Sequence, residues 1–219
     1  MLNKDDNMIQ LKVCGMYEVE NIRQVAALLP DYMGFIFYRM SRRFVGDAFR
    51  IPEGFPASIK RVGVFVNETT HEIMRLTNKH ALSYVQLHGN ESVDQCRELR
   101  AQGLVVIKVF AVSNDFDFEE VKPYRNNVDY FLFDTKGKDF GGNGVVFDWK
   151  ILEKYDQGIP FFLSGGISPD NVVGVQSLAG MNLHALDVNS GVESGVGIKD
   201  VEKIREFQDL KISLKSGKI

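Results

Sequence analysis

Two side chains able to move protons stand at the ends of apolar runs. The thiol of Cys14 closes Leu11-Lys12-Val13-Cys14, ahead of Gly15, and the carboxyl of Asp134 closes Tyr130-Phe131-Leu132-Phe133-Asp134. A thiolate can serve as a base and a carboxyl group as an acid, so the two would form a working pair if both faced one cavity. Each also has an inert reading: free cysteine is often a small buried hydrophobe, and Asp134 could cap a turn. A third candidate group is the two loops Ser164-Gly165-Gly166 and Asn189-Ser190-Gly191. Their small residues let backbone amides approach an anion closely, although any one glycine pair can equally be no more than a tight turn.

A thiol near its reference pKa of about 8.5 is mostly protonated at neutral pH, so base duty needs a positive neighbour or a helix N-terminus. Strand side chains alternate, which puts Lys12 on the face of Cys14, with Leu11 and Val13 on the other. Lys12 is therefore the expected activator. A buried lysine needs a partner of its own, and Asp187 is the expected one; the alternative is that Lys12 only neutralises Asp187. The other cysteine, Cys96, falls at helical spacing with Val93 and Leu99 and reads as packing. There is no CxxC spacing and no zinc-type histidine arrangement, so neither a disulfide nor a structural metal is expected.

The elements that must position these groups alternate strand and helix. Apolar runs at 11–15, 33–37, 61–66, 84–88, 105–110, 130–134, 160–164 and 185–189 read as eight strands. Between them, Val19, Ile22, Val25, Ala26 and Leu29 have helical spacing, and Thr69 with Glu72 and Ser92 with Gln95 have the spacing of capping boxes. Further helices are expected over about 116–125, behind Asp148, from Ser168-Pro169, and through Val201, Ile204 and Phe207. Residues 39–58 are broken by Gly46, Pro52, Gly54 and Pro56, so the second helix should be short or irregular. The long stretch Thr135 to Phe147, rich in glycine, is placed to cover a cavity as a lid. Eight near-continuous apolar strands imply a parallel sheet buried on both faces, and eight repeats without a GxGxxG favour closure into a (β/α)₈ TIM barrel over an open sheet. Active sites of such barrels lie at the carboxyl ends of the strands, where Cys14 and Asp134 stand, and phosphates often sit on the loops after strands seven and eight.

The 219 residues are read as a single barrel domain, 1–219. A composition with 44% hydrophobic and 25% charged residues is ordinary for a globular chain. A formal charge of −3 argues against nucleic acid as a bulk partner while leaving room for local cationic sites. The polar start Met1-Leu2-Asn3-Lys4 and the lack of any run of membrane-spanning length lead to the expectation of a cytoplasmic protein with no membrane association.

Taken in order, Lys12-Val13-Cys14-Gly15, Gly34-Phe35-Ile36-Phe37, Ser41-Arg42-Arg43, Gly63-Val64-Phe65-Val66-Asn67, Val85-Gln86-Leu87-His88-Gly89, Phe133-Asp134, Gly141-Gly142-Asn143-Gly144 with Phe147-Asp148-Trp149, Leu163-Ser164-Gly165-Gly166-Ile167 and Asp187-Val188-Asn189-Ser190-Gly191-Val192-Glu193 resemble the phosphoribosylanthranilate isomerases. The resemblance spans nearly the whole chain. It implies an Amadori rearrangement of a small phosphorylated substrate in tryptophan biosynthesis, without cofactor or metal. By position it makes Cys14 the general base and Asp134 the general acid, turns Arg43 toward the anthranilate carboxylate, and gives the phosphate to Gly165, Gly166, Asn189, Ser190 and Gly191. Tyr17, Arg42 and Asn189 depart from the family's usual residues, as does the irregular stretch beside Arg43. His88 either touches substrate or fills the barrel mouth, and the latter is expected. The rivals are another phosphosugar isomerase or epimerase, whose metal-dependent forms the histidines at 71, 80, 88 and 184 do not supply, and an idle barrel that binds a phosphorylated metabolite as a sensor.

Overall fold

In the computed structural model residues 9–135 and 148–216 are described, with side chains to residue 210. Strands β1 (Gln10–Val13), β2 (Tyr32–Ile36), β3 (Lys60–Phe65), β4 (Tyr84–Leu87), β5 (Val105–Val112), β6 (Tyr130–Thr135), β7 (Phe161–Leu163) and β8 (Leu183–Val188) close into one barrel. All eight pairings are parallel, and closure is made by β1 on β8, with Lys12 opposite Asp187 and Val13 opposite Val188.

Alternation along these strands separates two cores. Leu11, Val13, Phe35, Phe131, Phe133 and Leu163 pack outward against helical residues such as Ile22, Ile73, Leu99 and Phe207. Tyr32, Val62, Ile107, Leu132 and Phe162 fill the barrel interior, and Cys14, Ile36 and Val64 form a small cluster of their own. Asp134 lies two residues beyond Leu132 and therefore shares its inward face.

Helix α1 (Val19–Ala26) is capped by the Glu18 carboxylate, and α2 (Thr70–His80) and α3 (Val93–Ala101) by the Thr69 and Ser92 hydroxyls. The two expected capping boxes form by halves. Thr69 and Ser92 accept from the amides of Glu72 and Gln95, but Glu72 turns to Arg75 and Gln95 donates to the Glu68 carbonyl. Helix α4 (Val201–Ser216) closes the chain with Ile204 and Phe207 fully buried.

The remaining connections correct the expected helices. Residues 116–125 hold a 3₁₀ segment, Phe118–Tyr124, because Pro123 lacks the N–H that an α-helix would use. Asp148 does cap the next segment, through the Lys150 amide, but that segment is the 3₁₀ turn Trp149–Lys154. No helix begins at Ser168-Pro169. Asn171 accepts from the Ser168 amide and donates to the Gly166 carbonyl, which holds 166–171 as a turn, and a 3₁₀ segment follows over Val172–Leu178. Residues 37–59 are irregular as expected: Phe44 bridges Ile36, Val45 and Phe49 are buried, and a cavity of about 300 Å³ lies between this segment and α2. Most of the expected lid, residues 136–147, lies outside the described residues.

Candidate active site

Cys14 follows β1 directly, and its amide donates to the Val188 carbonyl at 2.9 Å, which ties it to β8. Gly34 on β2 makes room for the thiol, since a Cβ there would sit 2.7 Å from Sγ. Lys12 is wholly buried, and its Nζ lies 2.7 Å from Asp187 Oδ2, as expected from the sequence. Burial opposes the Lys12 charge, but Asp187 and Cys14 together hold the ammonium above the ordinary lysine range. Lys12 favours the thiolate, as expected, but does not outweigh burial. Burial pushes Cys14 up, and the neighbouring Lys12 and Lys199 offset this only in part.

Asp134 is buried at the end of β6, where its Oδ1 accepts from the Thr135 amide at 2.9 Å. Its Oδ2 lies 3.3 Å from His88 Nε2, and His88 Nδ1 lies 2.9 Å from Gln86 Nε2. With the Gln86 amide donating to Nδ1, His88 carries its proton on Nε2, the nitrogen that faces Asp134. With the amide turned over, Gln86 Oε1, buried and otherwise without a partner among the described residues, accepts from Nδ1–H. Either way one row of three side chains, Gln86, His88 and Asp134, sets an imidazole against the carboxyl. The turn that carries His88 is fixed by Glu91, which accepts from the Asn67 and Gly89 amides, and by Lys108, whose ammonium donates to Glu91 and to the Leu87, Gly89 and Val109 carbonyls.

Arg43 comes from the irregular segment and lies over Gly15. The glycine is needed there twice, for its φ of +77° and because a Cβ would stand 2.8 Å from Arg43 Cδ and 2.7 Å from Asn189 Oδ1. The Arg43 Nε and Nη2 groups each donate at 2.7 Å to the Glu193 carboxylate. Glu193 opens a hairpin of β9 (Glu193–Gly195) and β10 (Ile198–Lys199). Lys199 Nζ donates to Glu193 at 2.6 Å and to Asn189 Oδ1 at 2.6 Å. Gly191 abuts the Ile167 carbonyl, so the loops after β7 and β8 are in contact. Gly165 and Gly166 have φ of +95° and +71°. Among the described residues the amides of Gly165, Gly166, Ser190 and Gly191 have no acceptor.

These groups surround one end of the barrel. Asp187 interacts electrostatically with Lys12, Asp134 and His88, and Cys14 with Lys12, Asp187 and Lys199. A family model described as N-(5'phosphoribosyl)anthranilate (PRA) isomerase matches residues 11–209. The chain belongs to the N-(5'-phosphoribosyl)anthranilate isomerase family. The isomerase of Parabacteroides distasonis is 44% identical over 203 residues, covering 90% of each chain. The crystal structure of the Thermotoga maritima isomerase superposes with a TM-score of 0.82 at 37% identity, covering 96% of this chain and 100% of that one. Another similar structure, at TM-score 0.79 and 35% identity, is an isomerase of this family in complex with reduced 1-(o-carboxyphenylamino)-1-deoxyribulose 5-phosphate. The protein is accordingly an isomerase of tryptophan biosynthesis, an intramolecular oxidoreductase on a TIM barrel.

Within this isomerase, Cys14 and Asp134 both lie at the carboxyl ends of their strands, and the loop of Asn189, Ser190 and Gly191 touches, at Ile167, the loop that carries Gly165 and Gly166. Arg43 is not the open cation that the sequence suggests, because Glu193 already holds it. Reasoning from the sequence missed the tie between His88 and Asp134, passed over Lys199, and gave Glu193 no task. A signal for His88 was present: Gln86 lies on β4 and His88 directly after it, two apart, so that alternation points them the same way.

Proposed function

We propose that the protein converts N-(5'-phosphoribosyl)anthranilate to 1-(2-carboxyphenylamino)-1-deoxyribulose 5-phosphate with Asp134 as general acid and Cys14 as general base. Asp134 gives its proton to the ribose ring oxygen. The C1–O bond breaks while the nitrogen lone pair forms C1=N, leaving an open-chain iminium. The Cys14 thiolate then takes the C2 proton, the C2–H electrons form C1=C2, and the C=N pair returns to nitrogen as an enolamine. Ketonisation passes the O2 proton to the Asp134 carboxylate and a proton from the Cys14 thiol to C1, giving the ketose and restoring both groups. Arg43 faces the aryl carboxylate, as a planar fork suits that partner. The amides of Gly165, Gly166, Ser190 and Gly191, with the Asn189 side chain beside them, receive the phosphate.

The observation that carries this reading is the placement of a thiol after β1 and a carboxyl on β6 on the inner face at the same end of the barrel, with the electrostatics of Asp187 linking them. A thiol base also suits the reducing cytoplasm, where we place the reaction, and residues 1–219 are read as one domain. The test is turnover of the phosphoribosyl substrate by C14S and D134N, each expected to lose about 10²- to 10⁴-fold in kcat. Near-normal kcat in either variant removes that residue from its role. Binding of the phosphate ester without turnover by the wild-type protein would leave a sensor instead.

A further inference from the structure

We propose that Glu193 is a positioning residue that grips one edge of Arg43 so that the opposite edge is presented to the aryl carboxylate of the substrate. This rests on the reading of Arg43 given above. A guanidinium has five N–H donors in one plane, arranged as a side fork of Nε–H and Nη2–H and an end fork of Nη1–H and Nη2–H. Glu193 occupies the side fork with two bonds of 2.7 Å. The other three N–H groups, two of which form the end fork, have no partner among the described residues. One arginine can therefore hold two carboxylates at once, and the substrate has no need to displace Glu193.

The Arg43 main chain cannot supply this aim. It sits in the irregular 37–59 segment, where its amide is satisfied by Ser41 Oγ at 3.1 Å rather than by a helix. Orientation must come from what the side chain touches, namely the backbone at Gly15 and the Glu193 carboxylate. Glu193 is in turn fixed from three directions: Oε1 accepts from Arg43 Nε, from Lys199 Nζ at 2.6 Å and from the Gly197 amide at 3.0 Å, while Oε2 accepts from Arg43 Nη2. Burial opposes its charge, yet Arg43 and Lys199 hold it below the usual carboxylate range, so it remains an anion. Two cations share one carboxylate, and the positive charge left over is what an incoming carboxylate would complete.

The test is the affinity for two ligands, measured by calorimetry: reduced 1-(2-carboxyphenylamino)-1-deoxyribulose 5-phosphate and its phenylamino counterpart without the carboxyl group. Their ratio of Kd isolates the carboxylate, because the phosphate is common to both. Plain charge counting says that E193Q, by removing a negative charge, should strengthen the preference for the carboxylated ligand. Positioning says the reverse. We expect E193Q to lose about tenfold of that preference, with the Kd of the other ligand unchanged within about twofold, which corresponds to one charge-assisted hydrogen bond. R43K, which keeps the charge but not the fork, should lose as much or more. If R43K keeps the full preference, the reading of Arg43 itself fails. If R43K loses it while E193Q keeps or gains it, or weakens both ligands equally, Arg43 stands and the role of Glu193 is overturned. Should E193Q not fold, E193D withdraws the anion by one methylene and is expected to show the same loss; a retained preference there overturns the proposal as well.

Discussion

Lys12 offers the most direct probe of how the thiol works. Lys12 and Cys14 are two residues apart, and their side chains share one inner face. The Lys12 ammonium lowers the thiol by its charge and by hydrogen bonding, while Asp187, 2.7 Å from the ammonium, opposes part of this. K12M should therefore raise the Cys14 pKa and slow its reaction with iodoacetamide at pH 7 by roughly an order of magnitude. The assay is the alkylation rate against pH in a C96S background. Cys96 is fully buried and pushed up to about 11 by burial, so it contributes little even before replacement. Because K12M strands a buried carboxylate at a cost of about 3–5 kcal/mol, the same titration is run on K12M/D187N, which removes both charges. If the thiol titrates alike in all three proteins, Lys12 is only the counter-ion of Asp187 and the proposed activation is wrong.

Other outcomes follow from the same contacts. Since burial holds the Cys14 thiol above its ordinary range, kcat/KM should climb tenfold per pH unit through neutrality and keep rising past about pH 8.5; a plateau beginning at pH 7 would assign the base elsewhere. H88N removes the imidazole that stands against Asp134 and is expected to lower kcat about 10- to 100-fold with KM little changed, whereas an equal loss in both would mark His88 as a wall of the pocket. K108M leaves Glu91 buried without its ammonium and should cost about 3–5 kcal/mol in urea unfolding. His80 is held down to about 4 by burial between Phe37 and Phe49, with Nδ1 unpartnered among the described residues. The unfolded chain, near 6.5, binds that proton first as pH falls, so stability is complete above 6.5 and about 2 kcal/mol is lost by pH 5. H80F should abolish that loss in urea midpoints at pH 8 and pH 5; an unchanged gap between the two pH values counts against it.

The barrel strands were legible because each is a short apolar run, and their order fixed which side chains face inward. The irregular 37–59 segment was legible too, from Gly46, Pro52, Gly54 and Pro56. Legibility ended where a non-local contact decided the outcome. Ser168-Pro169 has the local marks of a helix start, but the Asn171 side chain claims the Ser168 amide and the Gly166 carbonyl and keeps a turn. Arg43 looks like a free cation in sequence, since its partner Glu193 lies 150 residues away. The Lys12–Asp187 pair could be anticipated because β1 and β8 must meet for the barrel to close. No such constraint announces that β4 brings His88 to Asp134 on β6, two strands off.

The distribution of charge around the mouth bears on which group is the base. Lys12, Arg43 and Lys199 lie on the side of Cys14 and the loops after β8, where three negative charges would gather: the thiolate, the aryl carboxylate and the phosphate. Asp134 sits against an imidazole and a backbone amide instead, a setting that can pass a proton to a leaving ring oxygen and take one back. Even so, burial still holds the thiol up, so a bound substrate whose two anions were left uncompensated would suppress the thiolate further. On the proposed reading each anion has its own donors, the Arg43 end fork for one and the loop amides for the other. Lys12, with Asp187 behind it, is then left to act on sulfur alone.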